Sequence, residues 1–429
     1  MTVAFDLRPL QIGHQFRGIG ICQQNILKRL QKNTQHVKHW ELVFYVYKDK
    51  PLPSILESYT LPYRVIEVTE ILSSHNRFKL VRYPERLFAS WRRTNAIDRL
   101  PEIKKIDIFV QFDFLLGVPS HPHIKKILLK YDIIPLVLEN FYLPTFGQVR
   151  NRTKSIRLAL KAHKHRLKYL WLLRKALQRS DEILAISEHT KRDLVHYLKA
   201  DEKKIKVLYL GADDTTLEAA DETEEEKRFW CIDWRLVHSQ KRYISFSLAD
   251  KPYILYIGGA DIRRRIQDLV LAYNLLRSRG VDCKLLLAGF DFQDLETVPN
   301  EEVREAILYS SYSDGIHLLG FVDSRQKALL YQYATAFVFP TQYEGFGLPI
   351  LEAMEHGCPV ICYNNSSLKE VGGSAALYAE SPENIAEILK KLTSTPDFRE
   401  EVVQAGYKQV KKFSWQKTSS QFITLINNV

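Results

Sequence analysis

Two glutamates eight residues apart, Glu344 and Glu352, stand in the segment Phe337-Val-Phe-Pro-Thr-Gln-Tyr-Glu-Gly-Phe-Gly-Leu-Pro-Ile-Leu-Glu-Ala-Met-Glu-His-Gly. A strand is expected to end at Pro340 and a loop to run from Thr341 to Leu348. Pro349 suits the first turn of a helix, where a missing N–H costs nothing, and Gly357 suits its end. Glu344 then lies in the loop, and Glu352 lies one turn inside the helix, facing the same side. Carboxylates accept hydrogen bonds from sugar or ribose hydroxyls and are poor partners for phosphate. Gly345 and Gly347 let backbone N–H groups approach a ligand, and the helix start adds partial positive charge. Hydroxyls and a diphosphate are therefore the chemistry this segment can serve. Two glutamates at this spacing alone carry no such meaning; the whole segment does.

A second segment supplies the opposite charge. Tyr253-Ile-Leu-Tyr-Ile-Gly-Gly-Ala-Asp-Ile-Arg-Arg-Arg reads as a strand, a tight turn at Gly259, and cations entering a helix. Arg263 and Arg264 could neutralise a departing diphosphate. No D-x-D occurs in the chain, so a metal clamp is not expected, and neither is a cofactor. In the first half, Arg17-Gly18-Ile-Gly20 follows the opening strand, and Tyr131-Asp132-Ile-Ile-Pro135 ends a later one. Asp132 is a candidate to orient an acceptor or take its proton, or else it caps a turn.

These residues need a frame. Short runs rich in β-branched and aromatic residues begin at Val3, Glu41, Ile106, Lys126, Glu182 and Ile205, separated by helical patterns. The alternation pauses over 211–250, which contains Asp221-Glu-Thr-Glu-Glu-Glu226, and restarts at Tyr253. This predicts an α/β protein with two Rossmann-like, doubly wound parallel sheets. Its parts are residues 1–210, an acidic connector 211–250, and a second domain 251–412. Ligands of such sheets bind at the carboxyl ends of the strands.

With the motifs placed, the chain resembles glycosyltransferase family 4, the retaining group 1 branch with the GT-B fold. Glu344 and Glu352 match its E-x7-E pattern, and Gly258 to Arg265 is similar to its G-G-x-D-x-R-K-N segment, with Arg264 at the lysine position. Asn364 to Tyr378, Gly18-Ile-Gly20, Ile186 to Lys191 and Phe413-Ser-Trp415 resemble further family segments. Tyr131 stands where the family has histidine, and Ser374 where it has aspartate. The resemblance implies a metal-independent hexosyltransferase working with retention between two domains that face each other across a cleft. It implies that Glu344 binds the transferred sugar, Glu352 the ribose, and the amides of Phe346 to Leu348 the diphosphate. It also implies that the last helix, 413–429, returns to the first domain. The partners would be a nucleotide-sugar donor and a saccharide or lipid-linked acceptor, in surface polysaccharide or glycoconjugate synthesis. A phosphorylase, an epimerase, or a degenerate nucleotide-sugar binder are the alternatives.

Composition sets the remaining bounds. The chain has 429 residues, 45% hydrophobic and 26% charged, as in a globular protein. Asp6 and Arg8 interrupt any signal-peptide core, no apolar run reaches the roughly 18 residues a bilayer span needs, and the five cysteines are scattered. A cytoplasmic location is expected. Residues 1–210 hold 38 Lys+Arg against 19 Asp+Glu, a net of +19, whereas 211–429 hold 23 against 31, a net of −8. Between Asn140 and Ser180 there are eleven Lys or Arg and no acid. Lys154, Arg157, Lys161, Lys164, Lys168 and Lys175 share one side of a helix spaced at about 100° per residue, beside Ile156, Leu160, Leu167, Leu170 and Trp171. Three readings compete: docking on an anionic membrane surface, the inner face of the cytoplasmic membrane in particular; a helix packing its apolar side on the sheet; or nucleic acid. No nucleic-acid-binding signature accompanies the charge.

Overall fold

The computed structural model describes residues 1–12, 18–69, 97–212, 228–232, 243–248 and 251–428. Arg17, the acidic run 221–226 and most of the stretch 70–101 lie outside the described residues. The chain divides into two compact units, Met1–Gly211 with Trp415–Val429, and Ala212–Ser414.

The first unit is built on seven parallel strands: β1 (Thr2–Asp6), β2 (Glu41–Tyr47), β3 (Tyr63–Val68), β4 (Ile108–Gln111), β5 (Lys125–Lys130), β6 (Glu182–Ala185) and β7 (Ile205–Val207). Their order is β3-β2-β1-β4-β5-β6-β7. Helices cover both faces, so the central strands run apolar almost without break, as in Leu42-Val-Phe-Tyr-Val-Tyr, all buried. The edge strand β3 alternates instead, Tyr-Arg-Val-Ile-Glu-Val, with only Ile66 and Val68 buried. That weaker pattern was not among the expected strands.

Chain direction reverses its drift across the sheet between β1 and β4, and a charged cluster is buried there. Arg8 is fully buried and forms two 2.7 Å hydrogen bonds to the Asp6 carboxylate. Gln111 Nε2 donates to the same carboxylate, and Arg8 Nη2 also reaches the Leu116 carbonyl at 3.1 Å. Asp6 and Arg8 are thus structural groups inside the sheet's carboxyl end. The first helix, Gly18–Lys32, carries Gly18 and Gly20 in its first turn. The last helix, Trp415–Asn427, belongs to this unit: Thr418 Oγ1 donates to the Tyr209 carbonyl (2.7 Å), and Trp40 Nε1 donates to Asn427 (2.8 Å).

The second unit carries six parallel strands in the order β12-β11-β10-β13-β14-β15. They are β10 (Tyr253–Ile257), β11 (Lys284–Ala288), β12 (Ile316–Gly320), β13 (Ala336–Phe339), β14 (Val360–Tyr363) and β15 (Leu377–Ala379). The described part of the stretch read as a connector falls in this unit as an antiparallel pair, β8 (Arg228–Ile232) with β9 (Tyr243–Ser247). Phe246 of that pair lies against His317 of β12, ring centroids 5.0 Å apart, with Lys284 Nζ over the Phe246 ring at 4.5 Å. In this sheet the switch in strand order falls between β10 and β13. Loops leaving two such strands diverge to opposite faces and open a crevice at their carboxyl ends.

Removing one partner of a buried ion pair leaves the other charge uncompensated, at about 3–5 kcal/mol. Arg8→Met is expected to destabilise the first unit by that amount, read as a lower denaturation midpoint, with the second unit's transition unchanged.

Candidate functional site

The loops that leave β10 and β13 carry the arginines and Glu344. After β10 the chain must turn at once, because Gly289 at the end of β11 is pressed against it. A Cβ on Gly289, whose φ is +140°, would lie 2.0 Å from the Gly258 carbonyl oxygen. Tyr256 Oη donates to the Gly259 carbonyl (2.8 Å), and Ala260 N–H donates to Asp291 (2.9 Å). Asp261 then caps a short helical turn, Ile262–Arg264, by accepting from Arg263 N–H.

This turn delivers two guanidinium groups to one carboxylate. Arg263 Nη1 donates to Glu344 and, at 3.1 Å, to the Tyr343 carbonyl. Arg264 Nη1 stands 2.7 Å from Glu344 Oε1, with its guanidinium over the Phe339 ring at 4.7 Å. The Arg264 contact is an ion pair off the hydrogen-bonding line, so Nη1 is a buried donor with no aligned acceptor. Thr341 Oγ1 donates to the same Glu344 oxygen at 2.8 Å. Glu344 itself is buried, 8% exposed.

The loop holding Glu344 is fixed from both sides. Gln342 N–H donates to the Arg263 carbonyl (2.7 Å), and Asn365 Nδ2 to the Thr341 carbonyl (2.9 Å). Glu344 N–H donates to Ser366 Oγ, while the buried Ser367 hydroxyl faces the Glu344 and Phe346 carbonyls at 2.9 and 2.8 Å. The Asn365–Ser367 segment thus braces the loop. Phe346 is buried edge-on to Phe413, centroids 5.8 Å apart. Gly347 ends the loop at φ +109° and is the N-cap of the helix Leu348–Glu355, with Pro349 in its first turn and no capping side chain. With Pro349 lacking an N–H and Ile350 N–H bonded to the Gly347 carbonyl, Leu348 is placed to offer its amide to an anion.

Glu352 lies in that helix but joins a separate group. Lys327 Nζ is 2.8 Å from its carboxylate, and Tyr331 Oη donates at 3.4 Å. Burial and this neighbouring carboxylate raise the Tyr331 phenol well above its usual range. Thr341, Lys327 and Tyr331 were missed from sequence; the i, i+4 spacing of the last two, which puts them on one helix face, was the available signal. Arg265 turns away. It adopts φ +52°, and its side chain holds Asp268 at 2.9 and 3.0 Å, where Tyr363 Oη also donates (2.6 Å).

In the first unit, Asp132 Oδ1 accepts from Ile134 N–H at 2.9 Å, so it caps a turn. Tyr131 is buried against Cys22, and burial pushes that thiol up to about 12. The cysteines described with their side chains, Cys22, Cys283, Cys358 and Cys362, are free and buried. Among the described residues no three His, Cys, Asp or Glu side chains converge as a metal site. Of the basic set, Arg157, Lys161, Lys164 and Lys168 lie with Trp171 on the helix Ile156–Arg179. Lys154 does not, since at φ +57° it ends the preceding helix, Phe146–Thr153.

A doubly wound parallel sheet with guanidinium groups and a helix start at its β10/β13 switch point defines an α/β class of protein. The comparisons narrow it. The family described as "Glycosyl transferases group 1" matches residues 239–409, and "Glycosyltransferase Family 4" matches residues 71–216. The chain belongs to the family 4, group 1 glycosyltransferases, and its fold is GT-B. It is 38% identical to the O-antigen chain mannosyltransferase B of Escherichia coli over 184 residues, 42% of this chain and 46% of that protein. The matched part is therefore less than half of that relative. Among solved structures, sucrose-phosphate synthase from Thermosynechococcus elongatus superposes with TM-score 0.66 at 18% identity, covering 100% of this chain and 98% of that one. Anabaena HepE, solved with UDP and glucose, gives TM-score 0.64 at 14% identity, with 100% of both chains covered.

Losing a buried hydroxyl that serves two carbonyls costs about 1–3 kcal/mol. Ser367→Ala is expected to lower the stability of the second unit by that amount and to raise hydrogen exchange in residues 341–347, which mass spectrometry can follow.

Proposed function

We propose that this protein transfers a hexose from a nucleotide-sugar donor to a saccharide or lipid-linked saccharide acceptor, in the synthesis of a surface polysaccharide. The observation that carries the reading is the buried Arg264 Nη1, held beside Glu344 without an aligned acceptor. A diphosphate would give that donor its missing partner, and the uncapped helix start at Leu348 would share the charge. Similarity to an O-antigen mannosyltransferase supports a polysaccharide product and a mannose-type donor class.

The chemistry follows from the charges. The bond between the sugar's anomeric carbon and the diphosphate oxygen breaks, and its electron pair leaves with the diphosphate. Arg263 and Arg264 meet that charge, so no metal is required. The acceptor hydroxyl forms the new bond on the face the leaving group vacates, giving retention, and its proton passes to a departing phosphate oxygen. Glu344 turns from the arginines to the sugar hydroxyls once a phosphate takes its place. Glu352 is assigned the ribose, with Lys327 and Tyr331 fixing its direction. Asp132, whose Oδ1 is already engaged by Ile134, is assigned to orient the acceptor.

Glu344→Gln and Arg264→Ala are each expected to lower turnover at least about 100-fold while both variants stay folded, the size of loss typical for a group that stabilises developing charge. Release of nucleoside diphosphate from a panel of UDP-, GDP- and ADP-sugars measures this, and the preferred donor is also the one that raises the melting temperature. Wild-type turnover by both variants rules the assignment out, and absence of any turnover by the wild type favours a binding-only protein. Turnover is expected to be unchanged by a metal chelator, checked in the same assay.

A further inference from the structure

The helix Ile156–Arg179 has two apolar faces, and only one of them meets the protein. Tyr169, Leu172, Leu173, Ala176 and Leu177 are buried against the sheet of the first unit. On a different side, Ile156, Leu160, Leu167 and Trp171 fall within about 60° of one another at 100° per residue. These four are 57%, 48%, 52% and 44% exposed. Of the apolar stripe seen in sequence, Leu170 packs against this core, whereas the other four members face away from it. Among the described residues of the first unit, four of the ten exposed large apolar side chains lie in this stripe. Scattered singles would need no explanation, but a contiguous patch does.

The cations border this stripe. Arg157, Lys161, Lys164, Lys168 and Lys175 occupy the next about 60° of the helix. Lys175 lies over the Trp171 ring at 4.5 Å, joining the two stripes. Arg166, by contrast, points inward to Glu139 and the Leu143 carbonyl. No acid lies between Asn140 and Ser180. Among the described residues, no helix is long and apolar enough to cross a membrane.

The geometry points to this patch as a docking surface for an anionic lipid bilayer, with the helix lying in the headgroup plane. Leu160, Leu167 and Trp171 enter the acyl boundary, and Arg157, Lys161 and Lys164 meet lipid phosphates. Charge and shape together select this occupant. A nucleic acid would use the cations and leave four apolar side chains in water. A second copy docked on the same face would bring two acid-free cationic helices together. A bilayer with anionic headgroups satisfies both stripes. The surface does not depend on the transfer reaction and would stand if that assignment failed.

The test uses the full chain and sedimentation with phosphatidylcholine vesicles, with and without phosphatidylglycerol. Association with the anionic vesicles is expected, with at least about tenfold weaker binding to pure phosphatidylcholine and loss at high salt. The triple variant R157Q/K161Q/K164Q is expected to bind about 100-fold more weakly. Leu160→Ser with Leu167→Ser is expected to lose about tenfold or more; both sets of positions are exposed, so donor-free melting should stay close to wild type. For the wild-type protein, brominated acyl chains are expected to quench fluorescence that Trp171→Phe removes. No association with either vesicle, equal association with both, a dimer dissolved by the leucine variant, or tighter binding to an oligonucleotide than to anionic vesicles would each overturn the assignment.

Discussion

The second unit is organised around one buried carboxylate held by two guanidinium groups. A charge taken out of water is tolerated only with partners, and Glu344 has Arg263, Arg264 and Thr341. Satisfying it ties the loop after β10 to the loop after β13, at the point where strand order switches. The bond from Gln342 N–H to the Arg263 carbonyl and the one from the Asn365 side-chain amide to the Thr341 carbonyl follow from the same approach. So does the left-handed turn at Gly347, which aims the next helix start into the crevice.

This arrangement stores its electrostatics in advance. Arg263 and Arg264 share Glu344, and Asp261 lies 3.6 Å from Arg263 Nε, so two cations face two carboxylates, with one Arg264 nitrogen misaligned. A dianionic ligand could exchange with the carboxylate at little reorganisation cost, because the donors are already fixed. Among the described residues at the first unit's switch point, Asp6 accepts from both Arg8 and Gln111.

Much of this was legible in sequence for a physical reason. Parallel strands covered on both faces must be apolar throughout, so β1, β2, β10, β11 and β13 announce themselves as short hydrophobic runs. Glycines and prolines mark the loops that leave them, and the loop charges stand out. What stayed hidden depends on partners distant in sequence. The edge strand β3 lacks a continuous apolar run, and β15 is only three residues long. Asp132 could orient a ligand or cap a turn, and the Ile134 amide that Oδ1 accepts from appears only in the fold. The Glu352 partners, Lys327 and Tyr331, come from a helix some twenty residues earlier. The apolar stripe of the basic helix was visible, but periodicity cannot tell a buried stripe from an exposed one when a helix carries two.

The most direct test of the central claim compares calorimetric affinities for the diphosphate and the monophosphate of the same nucleoside. If the Arg263–Arg264–Glu344 cluster receives a diphosphate, the wild type prefers the diphosphate by at least about tenfold, a difference of about 1.4 kcal/mol, and Arg264→Ala loses that preference while still binding the nucleoside. Equal affinities in the wild type, or a preference that survives Arg264→Ala unchanged, would contradict it.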